Sequence, residues 1–150
     1  MIDLREFEAE CRRDIPLLTA MELSLTGYAD LVLTMEAPLA PNINNKGTAF
    51  GGSLASIGLF GGWAVATLAF MDHGIDNTEI VVFKNEVTFE RPARGHLLVK
   101  VALDRDGFAS CLDKLRAGTS ERLRFHVGVD IFHDDERCAA MNGLYVVWLK

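Results

Sequence analysis

The sequence predicts an α+β domain in which a mostly antiparallel, six-stranded sheet wraps around one long apolar helix. Three observations carry this. Six short stretches read as strands, most of them by strict alternation of apolar and polar residues. One run, Leu54 to Met71, holds no charge and is apolar nearly all round. No Ser/Gly/Pro linker, low-complexity tract or internal repeat divides the 150 residues, so residues 1–150 are expected to form one domain. A chain of this length buries about 68–70% of its unfolded surface, enough for a core without a disulfide or a structural metal.

The elements follow in order. Leu4, Phe7, Cys11 and Ile15 recur at helical spacing with charges between them, predicting a short amphipathic helix that Pro16 stops or redirects. Met21, Leu23 and Leu25 then alternate with Glu22, Ser24 and Thr26, Gly27 to Asp30 supplies a turn, and Leu31, Leu33 and Met35 alternate again: a hairpin. Residues 38–52 are rich in Asn, Gly and Pro and read as a loop. After Gly74, Val81, Phe83, Asn85, Val87 and Phe89 form one face of a third strand, which Arg91-Pro92-Ala93-Arg94-Gly95 breaks. Leu97 to Leu103 alternate in a fourth. Phe108, Leu112 and Leu115 mark a short surface helix ending near Gly118. Leu123 to Ile131 form a fifth strand, His133 to Arg137 a polar turn, and Ala140 to Leu149 the last strand.

The apolar run admits two readings. Eighteen uncharged residues reach the lower limit of a membrane span, and Gly58 with Gly62 even makes a GxxxG pattern. Alternating strands on both sides, without interfacial anchors or a positive flank, favour the other: a core helix that a curved sheet encloses. No membrane partner is expected.

Fifteen basic against 21 acidic residues give a net charge of −6. That balance excludes a general nucleic-acid binder, which needs a basic footprint, while leaving room for a small anion held by a few local cations. Cys11, Cys111 and Cys138 show no CxxC spacing, and an odd, scattered count fits free thiols in a reducing compartment. The opening segment, MIDLREFEAECRRD, is not a basic-then-apolar signal, so the expected location is cytoplasmic. No metal cluster is predicted: His133-Asp134-Asp135-Glu136 are adjacent on a turn and chelate poorly, and His126 with Asp130 reads as a solvated strand face.

Two motifs point to a family. NKGTAFGGSL, Asn45 to Leu54, resembles the loop-to-helix motif of the acyl-thioesterases with the hot-dog fold. NEVTFERPARGHLLVKVAL, Asn85 to Leu103, is similar to the same family's strand that ends in Arg-Pro and is followed by Gly. More narrowly, APLAPNINNKGTAFGGSL resembles the thioesterase domain found fused behind an acetyltransferase domain. The resemblance covers nearly the whole chain. It implies the hot-dog fold, hydrolysis of an acyl thioester with coenzyme A or acyl carrier protein as leaving group, no cofactor beyond coenzyme A as part of the substrate, and homodimers or dimers of dimers with active sites shared between subunits.

Such chemistry has three requirements. The first is a stabilised oxyanion, which the start of a helix offers through unpaired N–H groups; Gly51 and Gly52 stand there with no side chain in the way. The second is a group that activates or positions water. Many relatives place an Asp or Glu in this loop or in the helix, whereas here Thr48 occupies the loop position and nothing ionisable occurs between Ser53 and Met71. Asn42, Asn44, Asn45, Thr48, Ser53 and Ser56 are left to orient water or substrate by hydrogen bonds, or to serve as turn and cap residues. Asn85, an amide on an apolar strand face, is expected to face the helix start and line the pocket, or else to satisfy loop backbone. The third is a grip on the leaving group, for which Lys46, Arg91 and Arg94 are the local cations, with Phe50 beside the acyl group. The missing acid keeps a non-catalytic acyl-CoA or carrier-protein binding module as an alternative. A dehydratase of the same fold would need a His–acid pair that neither loop nor helix supplies.

Overall fold

The computed structural model describes residues 2–150. Its first helix, α1 (Leu4–Asp14), is capped by Asp3, whose carboxylate accepts the N–H groups of Arg5 and Glu6. Pro16 redirects the chain rather than ending the helical region. With its fixed φ and missing N–H it opens a second short helix, α2 (Pro16–Ala20), so Met21 caps a helix and does not begin a strand.

The sheet contains β1 (Ser24–Ala29), β2 (Val32–Ala37), β3 (Thr78–Phe89), β4 (Leu97–Leu103), β5 (Leu123–His133) and β6 (Glu136–Leu149). Its order is β1-β2-β4-β5-β6-β3, and every pairing is antiparallel. The first hairpin turns later than predicted. β1 passes through Gly27 with a register shift, and Asp30 and Leu31 make the turn at φ 50° and 66°. The β5–β6 turn is similarly tight, at Asp134 and Asp135, both with positive φ, so that both strands extend into the predicted loop.

Helix α3 (Gly51–Asp72) crosses the concave face of the sheet. Leu54, Ile57, Ala64, Val65, Leu68 and Phe70 are buried there, which identifies the apolar run as a core helix. Three glycines set how close it lies. A Cβ at Gly62 would overlap the Tyr145 hydroxyl, one at Gly58 would overlap Met141, and one at Gly61 would come within 2.8 Å of Val101. Tyr145 stacks on Phe125 and its hydroxyl donates to the Leu59 carbonyl at 2.9 Å, pinning the middle of the helix to β6. Helix α4 (Arg105–Arg116), capped by Asp104, closes the far end through Phe108 against Phe70.

Strand β3 departs from the predicted alternation. Its ladder with β6 shifts register between Val82 and Lys84. Cross-strand partners share a face, so Ile80, Val82, Asn85, Val87 and Phe89, opposite Val147, Tyr145, Gly143, Met141 and Ala139, face the helix side. Val81 and Phe83 belong to the outer surface, where the Phe83 ring lies under the Arg124 guanidinium.

Candidate active site

The predicted loop before α3 is ordered by asparagine side chains. Asn42, 1% exposed, closes a 3-10 turn (Ala40–Asn42); its amide donates to the carbonyls of Met21 and Pro38, both at 2.9 Å. Its own carbonyl accepts the Phe50 N–H at 2.7 Å, so one buried residue ties the end of α2, the end of β2 and the start of α3 together. Asn44 organises the next turn. Its Oδ1 accepts the N–H groups of Lys46 (2.8 Å) and Thr48 (3.1 Å), and its Nδ2 donates to the Thr48 hydroxyl at 2.9 Å.

This loop delivers Phe50 as the N-cap of α3, and among the described residues no side chain accepts a hydrogen bond at that end of the helix. The contrast with α1 and α4, each capped by an aspartate, is physical: the N–H groups of Gly51, Gly52 and Ser53 retain their hydrogen-bonding capacity and sit at the positive end of a 22-residue helix. Two exposed phenyl rings flank the two glycines. A Cβ on Gly51 would lie 3.4 Å from the Phe89 ring, and one on Gly52 would overlap Phe50.

Beside the helix start lies a cavity of about 430 Å³. Loop, helix and the end of β3 all contribute to it: Asn44, Lys46 and Thr48; Gly51 and Leu54; Phe89, Glu90 and Arg91. Five of the predicted site residues therefore converge on one space, namely Asn44, Lys46, Thr48, Gly51 and Arg91. Gly52, Ser53 and Phe50 adjoin it in the first turn of α3 and its cap. The rest do not line it. Asn45 is exposed on the turn and Arg94 exposed beyond Ala93. Ser56 donates back to the Gly52 carbonyl at 2.8 Å, a bond internal to the helix. Asn85 stands opposite Gly143, four residues along β3 from Phe89, and is half-buried on the face toward the helix.

Sequence reasoning missed Glu90, the carboxylate on the cavity wall. Arg137 grips it in a bidentate pair (2.6 and 2.9 Å) that also reaches Asp130, and these hydrogen bonds hold the Glu90 carboxyl below its ordinary range. The signal available was its position immediately before Arg-Pro, where the strand must break. Arg91 itself pairs with Glu136 at 3.2 Å, so part of its charge is answered within the chain. Among the cavity's charged residues, Lys46 has no ion-pair partner among the described residues.

A six-stranded antiparallel sheet packed around one long apolar helix is the hot-dog fold, and solved structures similar to this one include thioesterases. A "putative thioesterase" from Shewanella oneidensis superposes with a TM-score of 0.80 at 26% identity, covering 95% of each chain. A protein of unknown function from Chlorobaculum tepidum gives 0.87 at 23% identity over 97% of this chain and 94% of that one. A thioesterase from Haemophilus influenzae, at 11% identity, shares the fold with a TM-score of 0.79 over 99% and 92%. Residues 4–149 match the family described as "Putative thioesterase (yiiD_Cterm)", and the chain belongs to that family.

Proposed function

We propose that this protein hydrolyses an acyl thioester of coenzyme A or of an acyl carrier protein, acting as a homodimer or a dimer of dimers. The observation that carries the reading is the uncapped start of α3 opening on a cavity with apolar walls at Leu54, Ala49 and Phe89. Water adds to the thioester carbonyl carbon. The oxygen that gains charge is met by the N–H groups of Gly51, Gly52 and Ser53, already aimed and without a competing acceptor, so their stabilisation grows as the charge develops. Collapse of the adduct breaks the C–S bond, releasing the thiolate, which takes up a proton, and the carboxylic acid. Lys46 and Arg91 at the mouth suit the phosphates of coenzyme A or an acidic carrier surface. The three buried, unpaired cysteines suit a reducing, cytoplasmic setting.

Asymmetry between the two sheet edges supports the dimer. At the start of the β1 edge, side chains of α1 take up backbone groups: Glu8 accepts the Leu25 N–H at 2.7 Å and Arg12 donates to the Leu23 carbonyl at 2.7 Å. At β3, the other end of the sheet, no strand among the described residues pairs with the outer edge, and Val82, Phe83 and Phe89 are 45%, 62% and 57% exposed. Edge-to-edge pairing of two β3 strands satisfies the backbone groups and buries these side chains.

The test is thiol release from acyl-CoAs and acyl carrier proteins graded in chain length. Release from at least one substrate is expected. Saturable binding with no release across the whole panel would replace hydrolysis by a binding function, to which the Arg137-bound state of Glu90 lends its one argument: no free carboxylate stands on the cavity wall among the described residues.

A further inference from the structure

Thr48 is one of two buried polar residues among the described residues, 8% exposed on the wall of the cavity. The hydrogen bonds around it determine where its hydroxyl proton can go. Asn44 Oδ1 accepts two backbone N–H groups, from Lys46 and from Thr48 itself, so this atom is the amide oxygen and the other is Nδ2. Nδ2 has only protons to give, and it gives one to Thr48 Oγ1 at 2.9 Å. One lone pair of the hydroxyl is thereby consumed, and its proton cannot point back along the same line. Among the described residues no acceptor takes that proton; the cavity beside Gly51 is what Thr48 faces.

From this we infer that the Thr48 hydroxyl is a hydrogen-bond donor to the acyl carbonyl oxygen of the bound thioester, joining the N–H groups of α3, with Asn44 as the positioning residue that aims it. The inference deepens the thioesterase reading and rests on it. A threonine needs no shifted pKa for this task, since it donates a hydrogen bond without losing its proton. Its contribution is largest in the adduct, where the oxygen carries charge, so it acts on kcat more than on KM.

The experiment measures thiol release from the best acyl-CoA for wild type, Thr48→Val, Thr48→Ser, Asn44→Asp and the Asn44→Asp/Thr48→Val double variant, with circular dichroism and thermal midpoints as folding controls. Thr48→Val keeps the shape and loses the donor; kcat is expected to fall roughly 100-fold with KM within about twofold. Thr48→Ser restores most of it. Asn44→Asp keeps an oxygen for the two backbone N–H groups but turns an acceptor toward the Thr48 hydroxyl, whose proton then leaves the cavity. It is expected to match Thr48→Val, and the double variant to lose nothing further. Wild-type kcat in a folded Thr48→Val, or losses that multiply in the double variant, would overturn the inference alone. A wild type that releases no thiol from any substrate overturns the thioesterase reading and this assignment with it.

Discussion

Glycines along α3 have opposite physical roles at its start and at its middle. At Gly52 the atoms nearest a methyl group belong to the ring of Phe50, itself 56% exposed and free to swing away. At Gly62 the obstacle is Tyr145, fully buried, stacked on Phe125 and hydrogen-bonded to Leu59. Gly52→Ala is therefore expected to change stability by no more than about 0.5 kcal/mol. It moves Phe50 and puts a methyl beside the exposed N–H groups, lowering thioester turnover by at least about tenfold. Gly62→Ala is expected to cost about 1–3 kcal/mol by forcing Tyr145 off the helix. Denaturant titration alongside the thiol-release assay separates them; a Gly52→Ala chain with full activity removes the helix start from the chemistry.

Among the elements, α1 and β3 divide the labour of controlling sheet edges. Helix α1 is held to the core by Phe7 stacked on Trp63, and from there Glu8 accepts the Leu25 N–H of β1 and Arg12 donates to the Leu23 carbonyl just before it. In the proposed dimer, with side chains of α1 bonded at the start of the β1 edge, pairing through β3 closes after two copies. Light scattering is expected to give twice the mass of one chain, or four times it if dimers pair. Val82→Lys, which places a charge on the helix-facing side of the β3 seam, is expected to give a folded monomer. A wild type that is monomeric at micromolar concentration contradicts the dimer.

For the whole molecule, the core makes a prediction about the protein's own thiols. Burial pushes the Cys11 thiol up to about 12, aided by Asp14, Glu10 and Glu8, and raises Cys111 and Cys138 as well. Thiolate is the reactive form, so native protein at pH 8 is expected to be almost inert to an aromatic disulfide reagent. Denatured protein should react at all three cysteines. Rapid native labelling of Cys138, which lies behind Pro92 and the cavity wall, would mean that this wall opens in solution.

How much of this was legible beforehand depends on the range of the forces involved. Alternation and helical spacing are local, and from them came the order of the elements, the core helix and the loop that leads into Gly51 and Gly52. Met21 and Gly27 misled because each has two local outcomes, helix cap or strand for one and turn or strand for the other, and packing chooses between them. The bulge in β3 reversed Val82 and Phe83 because register is set by the partner strand β6, sixty residues away in sequence. The same holds at the site. The residue types and their closeness in sequence marked Asn44, Lys46 and Thr48, but Arg91 joins them, and Asn85 and Arg94 do not, through where the strands end. Glu90 reached the cavity wall through Arg137, a side chain from another strand. The amino-acid order by itself determined which segment could be buried and which N–H groups had no side chain to cap them. The tertiary structure alone decided which distant side chains meet those groups, since hydrogen bonds and ion pairs act only over a few ångströms that folding must first bring about.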